Sequence, residues 1–482
     1  MAKSSWVGVW ASAALCVVAL QVRADGALDT SFGAQGRFLG NVVGGRQFGY
    51  AAGLLVQATG KLVVGNSTVI TGNTCASAIS LVRILPAAVG TDAAFGNNGQ
   101  IDYCFTAQMP PGYQDANGLA ALVAVSGGRM LAVGGTSLCP SPSSSCTKTD
   151  VSLLRVSAEG VPDPTFNGSG KVLIGSGASV GDDASRDAIG AVVNTDGTIF
   201  VAGTLSRPGS HNQALWALHD NGSLIAEFLD ASPNGGDPKA IALQPDGKIL
   251  TASTLFRTDT STTPPSLDRD CVISRYYLQG TSLAKDTSFG VAGSVTLAFE
   301  LGGPFYRHDE CSSLSVLRDG RIVFSGSSTS DTVGGSRAFA GRLLATGELD
   351  PAFFSGNTRI FYFESGSDGM QNTATQALVQ EDGKIVVVGY ASTVVNSGRF
   401  KDFAAVRFLP DGSFDYGGFM GTTPGSIGSR SMVDFGPITG AASDDMQTRA
   451  VLAGGRIVMA GGEAKIKLAR LDVDVIFGNS FE

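Results

Sequence analysis

The 482-residue chain is poor in most of what catalytic and nucleic-acid-binding proteins rely on. It has three histidines, His211, His219 and His308, so imidazole bases are scarce. No Cys-x-x-Cys pair occurs, which argues against a thiolate zinc site. There is no basic block, and 34 Lys and Arg stand against 42 Asp and Glu, a net charge of −8. Such a chain repels a phosphate backbone, so nucleic acid is not an expected partner. Charged residues make up only 16%, 65 residues are glycine, and long helical periodicity is missing. This composition points to turn-rich all-β structure. Beyond the first two dozen residues, no segment is long and apolar enough to span a bilayer.

What is present begins with an apolar run over residues 7–20, preceded by Lys3 and followed by Val22-Arg23-Ala24. It reads as a secretory signal cleaved after Ala24, and it is shorter than the ~20 residues of a spanning helix. Leu15 before Cys16 is too bulky for lipoprotein-type cleavage. Losing residues 1–24 leaves a net charge of −10 and six cysteines. An even count suits disulfides in an exported chain, whether secreted, periplasmic or on the outer surface.

Residues 241–250, Ile-Ala-Leu-Gln-Pro-Asp-Gly-Lys-Ile-Leu, place apolar runs on both sides of a Pro-Asp-Gly turn. Pro245 pre-sets φ and Gly247 is free to take positive φ. The stretch predicts a tight hairpin, either type I with a glycine bulge or type I′. The same hairpin recurs around Gly60, Gly128, Gly197, Gly320, Gly383 and Gly455, at spacings between 50 and 73 residues. That period is too long for one rung of a β-helix and suits a four-stranded unit, strands A to D.

The B strands, at 61–65, 129–134, 198–203, 248–252, 321–326, 384–389 and 456–461, are rich in Ile and Val and end in small residues. They read as buried on both faces. The C strands, at 79–84, 151–156, 214–218, 272–277, 338–344, 403–408 and 465–471, alternate with period two. Arg83, Arg155, Arg275, Arg342, Arg407 and Arg470 near their ends predict half-buried strands. A polar turn with an aromatic follows, as in Leu28-Asp29-Thr30-Ser31-Phe32-Gly33. Phe32, Phe95, Phe166 and Phe289 are expected to anchor packing between units. Strand D is expected at 101–105, 172–174, 295–299, 360–363 and 432–435. The third unit lacks the aromatic motif and has its D strand at 224–229.

The two ends carry the sharpest clue. After the signal the chain opens on an orphan turn and D strand, 28–40, and it closes on a C strand, 465–471, with no D strand after it. A ring in which the N-terminal strand completes the last blade accounts for both and leaves no bare edge. The expected fold is therefore all-β, a seven-bladed β-propeller of four-stranded blades over residues 25–473, with a tail at 474–482. At 377–389, 405–407 and 28–33, and nearly so at 241–252, the units follow Ala-Leu-x-x-Gln-x-Asp-Gly-Lys-Ile-x-Val-x-Gly, then Ala-x-x-Arg, then Leu-Asp-x-x-Phe-Gly. This pattern resembles the delta-60 repeat of bacterial propeller-like proteins. The resemblance implies the propeller fold and little about activity, because that family is largely of unknown function.

Strand parity puts the A–B and C–D turns on one face and the B–C and D–A loops on the other. The B–C loops hold long insertions at 66–78, 136–150, 204–213, 253–271, 327–337 and 391–401. By analogy with propellers at large, a ligand is expected on that face. All six exported cysteines fall in or beside these loops. Cys139 and Cys146 can close a local ring, Cys75 and Cys271 precede equivalent C strands, and Cys104 and Cys311 fall between a D strand and the next A strand. The expected pairs are Cys75–Cys104, Cys139–Cys146 and Cys271–Cys311.

Acidic residues recur shortly before strand A: Asp115, Asp183, Asp187, Asp237, Asp309, Asp368, Asp444 and Asp445. Either they form a rim able to hold Ca²⁺ or another hard cation, or they cap turns and accept backbone amides. His308-Asp309-Glu310, beside Arg307, is placed on a loop of the same face. The candidate ligand-binding residues are Asp183, Asp237, His308, Asp309 and Asp445, with no catalytic set. Gly177-Ala178-Ser179-Val180-Gly181 matches a nucleophile elbow but lacks the strand-turn-helix context. The expected function is a monomeric, exported scaffold that binds a protein or glycan through its B–C and D–A loops. The alternative is an extracellular hydrolase or lyase acting on carbohydrate or ester. The tail resembles the short Ile-Phe…Phe-Glu endings of some exported Gram-negative proteins, which implies a role in sorting.

Overall fold

A computed structural model describes residues 25–473 apart from 41–50, 71–74, 110–111, 141–145, 147, 176–183, 232–235, 260–265, 300–305, 331–334, 364–369, 396–397, 420–429, 436–445 and 463–464. The expected signal and the tail at 474–482 lie outside the described residues. Among the described residues no helix is long and apolar enough to cross a membrane.

The chain folds as consecutive antiparallel A-B-C-D meanders. The first is Gly53–Val56, Leu62–Val69, Ser77–Ile84 and Gln100–Tyr103, and the second is Tyr113–Val125, Arg129–Pro140, Lys148–Val156 and Lys171–Ile174. Next come Ser185–Val193, Ile199–Arg207, Ser210–Leu218 and Leu224–Asp230, then Asp237–Leu243, Ile249–Asp259, Ser266–Gln279 and Ser294–Leu297. Tyr306–Val316, Ile322–Ser330, Ser336–Leu343 and Arg359–Phe361 follow, then Asn372–Val379, Ile385–Val395, Gly398–Phe408 and Arg430–Val433. Single parallel bridges, Ser77 to Ala116 and Arg269 to His308, join the first meander to the second and the fourth to the fifth. The last meander, Gln447–Ala453, Arg456–Gly461 and Ile466–Asp472, takes its fourth strand from the start of the chain. Arg37–Gly40 pairs with it, Arg37 opposite Ala469 and Gly40 opposite Ile466.

Local chemistry explains the repeating hairpin. The Gly247 N–H donates to the Gln244 carbonyl at 2.9 Å, and the Gln244 N–H donates to the Lys248 carbonyl at 2.8 Å. Gly247 has φ +84°, while Pro245 and Asp246 stay at negative φ. That is the type I turn closed by a left-handed glycine, whereas Gly454 and Gly455, at φ +56° and +70° between the paired Ala453 and Arg456, take the type I′ form. The small residue that ends strand B has a different cause. Strand A carries a bulge opposite it, for instance between Ala188 and Gly190 opposite Gly203. A Cβ on Gly203 would sit 1.9 Å from the Asp187 carbonyl oxygen, so only glycine fits.

Hydrophobic cores lie between meanders rather than within them. Phe95 packs in a cluster joining the first and second, Phe166 in one joining the second and third, and Phe289 in one joining the fourth and fifth. Phe32 sits in a cluster that joins the last meander, through Val458, Ala460, Ile466 and Leu468, to the first, through Leu54, Leu62 and Val64. All four phenylalanines are fully buried, as expected of packing anchors.

Two expectations are corrected. The B–C insertions are mostly strand, not loop. Strands B and C run on in register past the body of the sheet, so that Ser206 faces His211 and Asp259 faces Ser266. The face bears projecting two-stranded hairpins because Thr, Ser and Val continue the period-two pairing. The C strands are also buried on both faces rather than half-buried, their arginines included. Arg83, Arg155, Arg275, Arg342 and Arg407 are at most 5% exposed.

Each of these arginines is held in one repeated arrangement. Arg155 Nε donates to Asp163 at 2.8 Å, its Nη2 donates to Thr165 at 2.9 Å, and its guanidinium lies 4.7 Å from the Phe166 ring centre. Arg83 does the same with Asp92 and Phe95, Arg275 with Asp286 and Phe289, and Arg342 with Asp350 and Phe353. Arg407 uses Asp415 and Phe419, and Arg470 uses Asp29 and Phe32 across the two ends of the chain. The guanidinium then reaches the next meander: Arg83 donates to the Ala158 carbonyl at 3.0 Å, Arg342 to Pro410 at 2.7 Å, and Arg470 to Pro86 at 3.3 Å. In the third meander Ala217 holds the arginine's register position, which matches the missing aromatic motif.

These contacts set a pH dependence. Burial alone would raise the Asp29 carboxyl. Hydrogen bonds from Ser31 and the charges of Arg470 and Arg456 outweigh it and hold the group at about 2. Asp163 and Asp286 are also held at about 2: burial works against them, but Thr165 with Arg129 and Arg155, and Ser288 with Lys248 and Arg275, prevail. A carboxyl lowered on folding stabilises above its unfolded value and loses that contribution as pH falls through the folded value. The urea midpoint is expected to stay flat down to about pH 5 and to fall steeply between about pH 4 and 2. Asp163→Asn should flatten that fall, and an unchanged profile would show that these acids are not linked to folding.

Candidate functional site

Among the described residues, Asp237 opens the strand A of its meander, and His308 and Asp309 lie early in the next strand A. The disulfides Cys75–Cys104, Cys139–Cys146 and Cys271–Cys311 are all formed. Cys311 sits inside strand A rather than before it, so its bond ties the fourth meander's C strand to the fifth meander's A strand. Three disulfides mark a chain that folds in an oxidising, extracytoplasmic compartment.

His308-Asp309-Glu310 is likewise on strand A, not on a loop, and His308 and Asp309 are buried. An Asp309 oxygen accepts the Phe299 N–H at 2.6 Å. Asp115 accepts the Phe105 N–H, the Thr106 hydroxyl at 2.6 Å and the Asn117 amide at 2.6 Å, and Asn372 accepts the Phe363 N–H at 2.8 Å. At these three positions the side chain caps the backbone leaving strand D. Cys75, Cys104 and Asp115 cluster closely, but both sulfurs are spent in the disulfide. Asp183 and Asp445 lie outside the described residues.

The strand-A bulges do more than admit a glycine. In consecutive meanders the inserted residues are Lys239, Ser312 and Thr375, and all three line one cavity of about 410 Å³. A bulge re-aims a side chain off the alternating pleat, which is how equivalent residues of separate sheets reach a shared space. Ser327, Thr329 and Thr373 add hydroxyls, Tyr390 an aromatic ring, and Arg449 of the last meander a guanidinium. Arg449 donates to the Ala52 carbonyl at 2.8 Å and the Ala120 carbonyl at 2.9 Å, in the first and second meanders. Burial pushes its guanidinium down from the ordinary arginine value. Ala120, itself a bulge residue, lines a second cavity of about 570 Å³ with Ser67, Asn117, Ser137, Thr149 and Asp187. Burial raises the Asp187 carboxyl against the hydrogen bond from the Ala188 N–H.

Sequence reasoning missed Lys239, Ser312 and Thr375, yet a signal existed. Each stands eight residues before its turn glycine, Gly247, Gly320 and Gly383. It also missed a hydrogen-bonded chain on the third hairpin. Ser206 Oγ lies 2.6 Å from His211 Nδ1, and His211 Nε2 lies 2.6 Å from an oxygen of Asp237, in the fourth meander. Asp237, one of the acids singled out for binding, meets a histidine here, and that histidine is His211 rather than His308.

Over residues 317–353 and 380–417 the chain matches the family model described as Domain of unknown function (DUF5122) beta-propeller. The architecture is propeller-like. Both matched stretches run from an A–B hairpin to the Arg–Asp–aromatic turn. No curated protein matches the chain. Among solved structures it is similar to Drosophila Semaphorin 1a extracellular domains 1-2, at 8% identity over 92% of this chain and 89% of that one, TM-score 0.44. The polysaccharide lyase Uly1 is 9% identical over 88% and 90% of the two chains, TM-score 0.41. An endo-arabinase from Bacteroides thetaiotaomicron is 12% identical over 78% and 99%, TM-score 0.32.

Proposed function

We propose that the exported chain is a closed ring of seven four-stranded blades spanning residues 25–473, and that it binds a glycan at the cavity lined by its strand-A bulges. The ring is supported by the core joining the last meander to the first and by the pairing of Arg37–Gly40 with Ile466–Asp472. The glycan reading is carried by one observation: Ser312 and Thr375 present hydroxyls from successive bulges into a cavity that also holds Tyr390. Hydroxyl oxygens that accept from the many O–H donors of a sugar, beside an aromatic face, suit a sugar ring. Asp183, Asp237, His308, Asp309 and Asp445 are kept as further candidate contacts on their sequence positions just before or early in strand A. The projecting B–C hairpins give the approaches. The expected result on a glycan array is retained binding by residues 25–482 and a loss of about thirtyfold in affinity on Tyr390→Ala. Capture of a protein and of no glycan would replace glycan with protein in this reading.

One observation favours a second reading, ester hydrolysis: the Ser206–His211–Asp237 chain has the contacts of an activated hydroxyl. A fluorophosphonate probe should then label Ser206 and lose at least nine-tenths of its signal on His211→Ala. Absence of labelling removes the hydrolase reading.

A further inference from the structure

Beyond a glycan in general, and resting on that reading, we infer that the cavity selects an acidic sugar, a uronate carboxylate held by Lys239. Two cationic side chains line the cavity, Lys239 and Arg449, and one anionic side chain, Glu310. Glu310 is already matched, because Arg269 Nη1 donates to it at 2.6 Å. Tyr390 carries a third cation on its ring, with Lys401 Nζ 5.4 Å from the centre. The chain as a whole has a net charge of −8, so the cavity runs against the sign of the molecule. A local positive site in an acidic protein is where a ligand carboxylate is drawn inward.

Lys239 is where an incoming carboxylate finds its partner. It is exposed, it occupies the bulge between Pro238 and Ala240, and among the described residues no ion pair links it to an acid. Equivalent bulge positions carry Ser312 and Thr375, so charge enters at one point of an otherwise hydroxyl-bearing row. Ser312 Oγ donates to the Ala374 carbonyl at 2.6 Å and Thr375 Oγ1 to the Val388 carbonyl at 3.3 Å. With their protons committed, both oxygens accept from ligand hydroxyls, while Lys239 takes the carboxylate. Arg449, half-buried and donating to two carbonyls, supplies fixed positive charge behind the site.

The test is calorimetric titration of residues 25–482 with tetragalacturonate and with its fully methyl-esterified form. Tetragalacturonate is expected to bind at least tenfold more tightly than the ester, and the preference should shrink as NaCl is raised. Lys239→Ala should cost about tenfold for the acid and leave the ester within twofold, and Lys239→Glu should reverse the preference. Equal binding of acid and ester, or an acid preference untouched by Lys239→Ala, would overturn this inference and leave the glycan reading standing. Failure to bind either oligosaccharide, with no hit on the glycan array, would overturn both.

Discussion

A chain starting at residue 41 instead of residue 25 is expected to lose most of its resistance to urea and to associate through the edge it exposes. Residues 25–40 do several jobs at once. Arg37–Gly40 is the fourth strand of the last sheet. The Gly26 N–H donates to the Asp472 carbonyl at 2.7 Å, and the Arg470 N–H donates to the Gly36 carbonyl at 3.1 Å. Phe32 is fully buried between the last and first meanders. Emptying a site of that size costs about 3–5 kcal/mol. Asp29 is the partner of both Arg470 and Arg456, at 2.7 and 2.8 Å, and Asp25 reaches Arg407 at 2.9 Å. Together these losses rival the ~5–15 kcal/mol that separates folded from unfolded domains. The bared edge of Ile466–Asp472 would then recruit a strand from another molecule. Equilibrium urea unfolding and sedimentation velocity read both effects. Adding a peptide of residues 25–40 should restore the midpoint, because the strand pairs through its backbone. An unchanged midpoint with unchanged sedimentation would show that the opening strand is dispensable.

Arg155→Ala is expected to destabilise the chain by about 3–5 kcal/mol, among the largest effects of any single substitution. The Arg155 side chain is completely buried and serves Asp163, Thr165, the Asp220 carboxylate at 2.7 Å and the Phe166 ring. Removing it leaves Asp163 with its Thr165 hydrogen bonds and with Arg129 as its cation, at 3.2 Å and partly exposed. The cost is that of a desolvated carboxylate left under-compensated, plus the void beside Phe166. Adding Asp163→Asn should recover part of the loss, because the uncompensated charge goes with it. The third meander already shows that a sheet can do without the set, with Ala217 at the arginine position and no aromatic turn. Chemical denaturation of the four variants of this cycle measures the coupling. A cost below 1 kcal/mol for the single variant would mean that the arginine is solvated and the brace is not holding the interface.

Much of the fold was legible because its signals are local. The Pro-Asp-Gly turn, the Val- and Ile-rich strand after it and the turn aromatic each sit within about ten residues, so turn chemistry and period-two alternation located the meanders. The third unit's odd D strand appears as Leu224–Asp230, and the disulfide pairs followed from where the cysteines fall relative to the strands. The candidate site was far less legible. His308 and Asp309 looked like loop residues because their charges break the apolar pattern, yet strand A absorbs them by turning the Asp309 carboxylate onto the Phe299 N–H. The C strands looked half-buried for the same reason, since an arginine near a strand end carries no mark of the acid it meets.

By itself, then, the sequence determined the all-β class, the repeating hairpin, the cysteine pairing and the need for the opening strand to complete the last sheet. These depend on backbone preferences and on matching unsatisfied ends. Only the tertiary structure decided that the arginines are buried and that the long insertions are paired strand. It alone brought His211 to Asp237, and Lys239, Ser312, Thr375 and Arg449 to one cavity. Those outcomes depend on which residues of different meanders meet in space, and no spacing along one strand encodes that. A bulge turns one side chain off the pleat, and its neighbours are supplied by sheets far away along the chain, as Arg449 is for Lys239.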